Sequence, residues 1–235
     1  MASLNLPAIE ASLRRVQAAF ESINARLSGR RDPMSDTVVE NLLAGYTFVD
    51  VLIGWGIDVF AKGKHKYLLE LNNIVLCGPD QDLRAEYARH IEATETRFYD
   101  ESAGGIEDLI EWRARHLRDP VWKLAAGLYV RALSKPQLFI EGNHRTGVLL
   151  ASYVLARAGE PPFVLTVENA VAYFDPSTVI RNTSKLGPVG LFRLPGIKKR
   201  FAQFLEAQAD PRYLLDPPAR IEPEPSALER SAPFL

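Results

Sequence analysis

Apolar residues recur every three or four positions along most of the chain, and the strict alternation typical of β-strands is scarce. Residues 5–28 follow this spacing and are predicted to form one amphipathic helix. Its apolar positions are Leu6, Ile9, Leu13, Val16, Phe20, Ile23 and Leu27. Residues 29–36 interrupt the pattern with glycine and proline, and a more apolar helix is predicted from about 37 to 61. Further helical segments continue to about residue 210, so the pattern predicts an all-α protein.

Start and stop signals divide the second half of the chain into helices. Asp119 and Pro120 predict a helix start, because an N-cap residue is followed by proline at the first helical position. Pro136 is predicted to end this helix, since the residue before a proline avoids the helical conformation. The helix that begins near Thr146 is apolar nearly all round, which predicts a central, buried position. A glycine-containing turn within residues 97–106 is where we expect a small β-hairpin.

These elements predict one helical domain followed by a tail. Residues 1–215 form the domain, with the N-terminal helix at 5–28 and the core at about 37–210. The chain has 235 residues, of which 47% are hydrophobic, so it can bury a sizeable core. Residues 216–235 are rich in proline and charge, and we expect an extended tail with no core of its own.

Charge and cysteine content narrow the classes of function. The formal net charge is -1, which provides no global basic field to attract nucleic acid or an anionic membrane. Cys77 is the only cysteine, so an internal disulfide cannot form, and no metal-ligand spacing surrounds it. The amino terminus lacks a secretory signal pattern, and the apolar segment Phe48–Phe60 is too short and too polar to cross a bilayer. We therefore expect a cytoplasmic protein that binds neither nucleic acid nor membranes.

A dense polar cluster, Glu141 to Arg145, lies between two apolar helices. Polar groups are costly to bury unless they are paired, so the cluster predicts a ligand. The first backbone amides of the following helix lack internal partners and carry the positive end of its dipole. Gly142 permits close approach of a ligand, Asn143 offers a donor and an acceptor, and the planar fork of Arg145 suits phosphate. Glu141 fits this picture if Mg²⁺ bridges its carboxylate and the phosphate oxygens.

Residues 119–165 resemble the core of the Fic/Doc (Fido) proteins, whose motif is His-x-Phe-x-Asp/Glu-Gly/Ala-Asn-x-Arg, commonly followed by Thr-Gly or Thr-Ala. The matching positions are Phe139, Glu141, Gly142, Asn143, Arg145, Thr146 and Gly147. The resemblance implies an all-helical fold. It also implies ATP or another nucleotide as ligand or co-substrate, and transfer of AMP or a phosphoryl group to a hydroxyl of a protein target.

The resemblance also implies roles for individual residues. Glu141 would hold Mg²⁺, and Gly142, Asn143 and Arg145 would cradle the phosphates, together with the helix start at Thr146 and Gly147. A hairpin flap within residues 97–106 would align the target segment by strand addition.

Four departures from the family pattern bear on activity. Gln137 occupies the position of the histidine base, and an amide cannot accept a proton at neutral pH. Val148 stands where many Fic proteins carry a second arginine. Residues 36–41 give an imperfect version of the inhibitory helix of some Fic proteins, in which Glu40 would be the inhibitory residue or a plain surface carboxylate. His144 precedes the motif arginine, and three readings stay open: a loop histidine bonded to backbone, a phosphate-binding cation, or a substitute base.

Two classes of function follow from the sequence. The first is a degenerate Fic-family transferase that keeps nucleotide or phosphate binding and has weak or altered activity. The alternative is a non-catalytic Fic-fold module that binds a nucleotide, another phosphorylated molecule or a regulatory protein. Gln137 and Val148 favour the module, whereas Glu141 favours the enzyme. The sequence does not specify the oligomeric state or the target.

Overall fold

The computed structural model describes residues 3–101 and 104–215, and α-helices dominate this part of the chain. The helices are α1 (Leu6–Ala18), α2 (Phe20–Asn24), α3 (Asp36–Gly54), α4 (Lys66–Cys77), α5 (Gln81–Glu86), α6 (Ala88–Phe98), α7 (Ile106–Arg115), α8 (Val121–Leu133), α9 (Asn143–Arg157), α10 (Ala170–Asn182) and α11 (Pro188–Ala207). A 3-10 helix covers Pro211–Tyr213, and two short strands are β1 (Ser3–Leu4) and β2 (Leu214–Leu215). The prediction of an all-α fold is confirmed. The predicted tail, residues 216–235, lies outside the described residues.

Helix α9 forms the centre of the domain, as its apolar sequence predicts. It packs against α3, α4 and α8, and every residue from Thr146 to Ala156 is buried. Gly147 permits the close approach of α8, because a Cβ atom at this position would come within 2.9 Å of the Tyr129 ring. Packing along most of α9 therefore fixes the position of its N-terminus.

The N-terminal helix is broken, contrary to the prediction of a single helix over 5–28. Ala19 leaves the helical conformation, with φ -94° and ψ 1°, and the second piece ends at Asn24. The break turns Phe20 inward, where its ring meets Phe174 edge-on at 6.2 Å between centroids. Tertiary packing thus overrides a periodicity that is continuous in the sequence.

Helix α3 ends earlier than predicted. Gly56, with φ +65°, adopts the left-handed conformation directly after it and leaves Trp55 70% exposed. Among the described helices, α3 alone is long and apolar enough to cross a membrane, yet it packs against α1, α4 and α9, as a core helix does.

The two ends of the domain meet in the small sheet. Strands β1 and β2 pair antiparallel, and the amide of Asn5 donates to the carbonyl of Tyr213. The hairpin expected within residues 97–106 is not seen: the described residues there form the end of α6, a turn and the start of α7, without a strand. The side chain of Arg97 fixes this segment to the neighbouring loop by donating to the carbonyl of Gln137, at 2.6 Å from Nη2.

Candidate functional site

The loop between α8 and α9, residues 134–142, carries the polar cluster and is held together by Asn143. The Oδ1 atom of Asn143 accepts from the amide of Phe139 at 3.0 Å, and its Nδ2 donates to the Phe139 carbonyl at 2.8 Å. The Asn143 side chain is 5% exposed. Its amide group therefore positions the loop backbone, whereas the sequence suggested a direct contact with phosphate.

Helix α4 clamps the end of this loop. The Nδ2 atom of Asn72 donates to the carbonyl of Glu141 at 3.0 Å and to the hydroxyl of Thr146 at 2.9 Å. Gly142 is left-handed, with φ +73°, and a Cβ atom there would lie 2.8 Å from Asn72 Nδ2. Glycine at this position satisfies both the backbone conformation and the close packing. The Thr146 hydroxyl is buried, accepts this hydrogen bond from Asn72, and does not line the cavity described below.

The first turn of α9 has no side-chain cap. The amide of Thr146 bonds to the carbonyl of Gly142, and the amides of Asn143, His144 and Arg145 have no partner in the described part of the chain. These amides carry the positive end of the helix dipole, which favours an anion in front of them.

A cavity of about 390 Å³ lies at this helix start. Residues 142–145 form one part of its lining, and three further arginines reach it from other segments: Arg30 and Arg31, which precede α3, and Arg181 of α10. Asp32 and Pro33 also contribute. The remaining surface is apolar or aromatic and consists of Leu13, Phe20, Met34, Val38, Leu42, Tyr46, Val148, Phe163, Leu165, Tyr173 and Phe174. The cavity therefore combines four guanidinium groups with an apolar wall.

The cavity arginines have no acidic partners among the described residues: none of the four has a carboxylate oxygen within 4.0 Å. Arg145 donates from Nη1 to the carbonyl of Val75 at 3.0 Å, and burial lowers the pKa of its guanidinium. Arg31 donates from Nη2 to the carbonyl of Phe174 and stacks over that ring at 5.0 Å. The carboxylate of Glu141 acts on Arg145 electrostatically without forming an ion pair, and Asp32 also lines the cavity, so the guanidinium charges are only partly offset. Cations without direct ion pairs in a partly buried site favour binding of an anion.

His144 lines the same cavity and is held by two tyrosines. The hydroxyl of Tyr173 donates to the His144 carbonyl at 3.3 Å, and the hydroxyl of Tyr129 donates to Tyr173 at 3.1 Å. The hydroxyl oxygen of Tyr129 also lies 3.4 Å from Nδ1 of His144. Nε2 of His144 is buried and has no hydrogen-bond partner in the described part of the protein.

The imidazole of His144 is neutral in this environment. Burial, followed by the charges of Arg31 and Arg181, lowers the pKa of His144 from 6.5 to about 3. Its buried ring therefore contributes no positive charge to the unliganded cavity. This arrangement differs from the first alternative for His144, a loop histidine bonded to backbone, because the residue lies in α9 and its ring contacts the hydroxyl of Tyr129.

Gln137 does not line the cavity. Its carbonyl accepts two hydrogen bonds from Arg97, and its side-chain Nε2 donates to the carbonyl of Leu133 at 3.1 Å. The residue at the family's base position thus holds the loop to α8 and to the end of α6.

The position of Glu141 does not fit the predicted Mg²⁺ site. Its carboxylate is 67% exposed, lies 3.9 Å from Nε2 of His90, and does not line the cavity. The described residues contain no group of three or more histidine, cysteine, aspartate or glutamate side chains placed to hold a metal. A single exposed carboxylate outside the arginine cavity is not a divalent-cation site for a ligand bound inside it.

Two other predicted residues also lie away from the cavity. Glu40, the candidate inhibitory residue, is an exposed carboxylate 3.8 Å from Nη2 of Arg14. Gly147, a residue of α9, is buried where this helix packs against α8. The sequence did not reveal Arg30, Arg31 or Arg181 as cavity residues: the adjacent pair Arg30-Arg31 in the loop before α3 is a signal for the first two, and nothing in the sequence marks Arg181.

The comparisons with known proteins point the same way as the loop motif. Over 86 residues the chain is 31% identical to protein adenylyltransferase fic-1 of Caenorhabditis briggsae and, equally, to protein adenylyltransferase fic-1 of Caenorhabditis elegans. Each match covers 35% of this chain and only 16% of the relative's own length. No family model matches the chain, and no solved structure matches it. This partial similarity, together with the all-α fold, suggests a Fic-like domain.

Proposed function

We propose that the cavity at the start of α9 binds a nucleotide or another phosphate-bearing ligand. One observation carries this proposal: the unpaired first amides of α9 adjoin four arginines that have no carboxylate partner in the described chain. Hydrogen bonds to charged groups contribute about 1.5–3 kcal/mol each. An anionic ligand would satisfy the amides and offset the guanidinium charges at once.

The apolar wall indicates that the ligand has more than its phosphates. Phe174 is half-buried and offers aromatic surface within the same cavity, whereas Tyr46 and Phe163 are buried behind its lining. Aromatic side chains bind flat ring systems through burial of apolar area and stacking. A nucleotide, which joins a flat base to a polyanion, combines both features, and the volume of about 390 Å³ is within the range of small-molecule sites.

The reaction that the similarity favours is AMP transfer, because both relatives are named protein adenylyltransferases. In that reaction an acceptor hydroxyl oxygen bonds to the α-phosphorus of ATP, the bond to pyrophosphate breaks, and the hydroxyl proton must be removed. Gln137 cannot take this proton, and the pKa of about 3 makes His144 a weak base. A positioned base contributes about 10²–10⁴-fold to the rate, so we expect slow transfer.

The second candidate is a binding module without catalysis. The observation that favours it is the Gln137 side chain, which bonds to the backbone of Leu133 and does not line the cavity. In this case the ligand would be a signal and not a substrate, and a regulatory protein would recognise the ligand-bound form of the module.

Incubation of the purified protein with cell lysate and either α-labelled or γ-labelled ATP tests these candidates. Label transferred from the α position means AMP transfer, and label transferred only from the γ position means phosphorylation. The absence of label, together with thermal stabilisation by ATP that Arg145→Ala abolishes, supports the module. The absence of both label and stabilisation contradicts the proposal. The identity of the protein partner and the cytoplasmic location stay predictions from the sequence.

A further inference from the structure

The arginines of the cavity come mainly from outside the polar loop. Arg145 belongs to the loop motif, but Arg30 and Arg31 lie in the segment before α3, and Arg181 lies near the end of α10. The α2–α3 connection and α10 thus bring positive charge to the start of α9. Glu141, the only carboxylate of the polar loop, projects toward His90 instead.

Arg31 and Arg181 both have guanidinium N–H groups that make no hydrogen bond to the described residues. Arg31 is anchored through Nη2 alone, which donates to Phe174, Ser177 and Thr178. Its Nε and Nη1 make no hydrogen bond to the described residues. Arg181 makes neither a hydrogen bond nor an ion pair with any described residue, although it lines the cavity. The anchored side of Arg31 gives its free side a defined direction, which is the requirement for a bidentate phosphate contact.

The effect of these two charges is visible at a neighbouring group. Arg31 and Arg181 are the charged residues that depress the pKa of His144, and burial contributes the larger share. The field of both guanidinium groups therefore reaches the interior of the cavity. Asp32 lines the same cavity, but neither guanidinium has a carboxylate oxygen within 4.0 Å in the part of the chain that the structure describes.

We infer that Arg31 and Arg181 hold the ligand's phosphates in place of a divalent cation, so that the cavity binds the metal-free polyphosphate form. This inference rests on the proposed function and specifies the ligand form that the site selects. The four arginines supply the positive charge that Mg²⁺ would otherwise bring. A Mg²⁺ ion chelated by the phosphates would occupy the same oxygens and lower the ligand's negative charge, so it would compete with the guanidinium groups.

Isothermal titration calorimetry with the full chain tests this inference. The probes are ATP and inorganic tripolyphosphate, each titrated once in EDTA and once in excess Mg²⁺ at the same ionic strength. We expect both probes to bind in EDTA with a Kd equal to or lower than in Mg²⁺. Glu141→Gln should not weaken binding in EDTA, because this carboxylate lies outside the cavity and its charge acts on Arg145 without touching the ligand.

Arginine variants locate the contact. Arg31→Gln and Arg181→Gln should each weaken tripolyphosphate binding by about tenfold or more, the loss expected for one charge-assisted contact. Arg181 supports no other described group, so its variant should keep the parent's thermal unfolding temperature. Arg118→Gln is the matched control, because Arg118 is exposed and does not line the cavity.

The outcomes separate this inference from the proposed function. Failure of both probes to bind under any condition overturns the proposed function, and the inference with it. Binding that requires Mg²⁺ and is lost in Glu141→Gln overturns the inference alone. Metal-independent binding that survives in the Arg181→Gln variant, with Arg31→Gln also unaffected, would show that other groups hold the phosphates and would likewise overturn it.

Discussion

The neutral, buried imidazole of His144 should make the stability of this fold depend on pH. The pKa of His144 is lowered from 6.5 to about 3, because the ring is largely buried and faces Arg31 and Arg181. The unfolded chain therefore binds a proton at this residue over a pH range in which the folded protein does not. Folding stability rises with pH wherever the unfolded state binds more protons, so acidification below about 6.5 must destabilise the fold.

The magnitude follows from the same two pKa values. Between about pH 7 and about pH 5, protonation of His144 in the unfolded state rises from about one quarter to nearly complete, while the folded state binds almost no proton there. Integration over this range gives a loss of about 2 kcal/mol in the free energy of unfolding. The loss continues at about 1.4 kcal/mol per pH unit until the folded pKa is reached near 3. Even the loss between about pH 7 and about pH 5 is a large share of the free energy of unfolding of a typical domain.

Urea unfolding of the parent and of His144→Gln, each at both pH values, measures this contribution. Glutamine keeps a polar side chain but does not titrate, so the variant should lose about 2 kcal/mol less than the parent on acidification. The other titrating groups are common to both proteins and cancel in the comparison. The chain has four histidines, so the imidazole signals in an NMR titration can be assigned by the one that disappears in the variant.

Two results would refute this reasoning. An equal loss of stability in parent and variant would mean that His144 is not buried neutral beside the two arginines. A His144 signal that titrates near 6.5 would mean the same. Tripolyphosphate provides a further check, because an anion that offsets Arg31 and Arg181 should raise the pKa of His144 and reduce the acid sensitivity.

Three further predictions concern the loop between α8 and α9 and the contact of α9 with α8. Asn143→Ala leaves the buried amide and carbonyl of Phe139 without partners and should cost about 2–4 kcal/mol in urea unfolding; an unchanged midpoint would contradict its role as the loop's brace. Gly147→Ala places a methyl group within 2.9 Å of the Tyr129 ring and should cost about 1–3 kcal/mol, measured in the same way, unless α8 moves freely. Gln137→His should raise α-label transfer from ATP to protein, and a variant that binds ATP but stays silent would argue that the site serves another ligand.

The local elements of this protein could be read from its sequence because they depend on neighbouring residues. Helical spacing identified the all-α fold, and the nearly continuous apolar surface of α9 identified its buried central place. The left-handed position of Gly142 and the uncapped helix start agree with the reading of the polar loop as an anion site. The proline signals at Pro120 and Pro136 likewise placed both ends of α8 to within a few residues, since proline restricts the backbone locally.

Other features of the candidate site were decided only by the tertiary structure. The sequence suggested ligand contacts for Asn143 and Glu141, yet packing directs the first to the loop backbone and the second toward His90. Arg31 and Arg181 meet Arg145 in one cavity although they lie in distant parts of the chain. Periodicity reports which face of a helix is buried, but the direction of a polar side chain depends on the partners that packing brings within hydrogen-bond distance. The sequence therefore determined the helices and the polar loop between α8 and α9, whereas the convergence of positive charge on that loop exists only in the folded molecule.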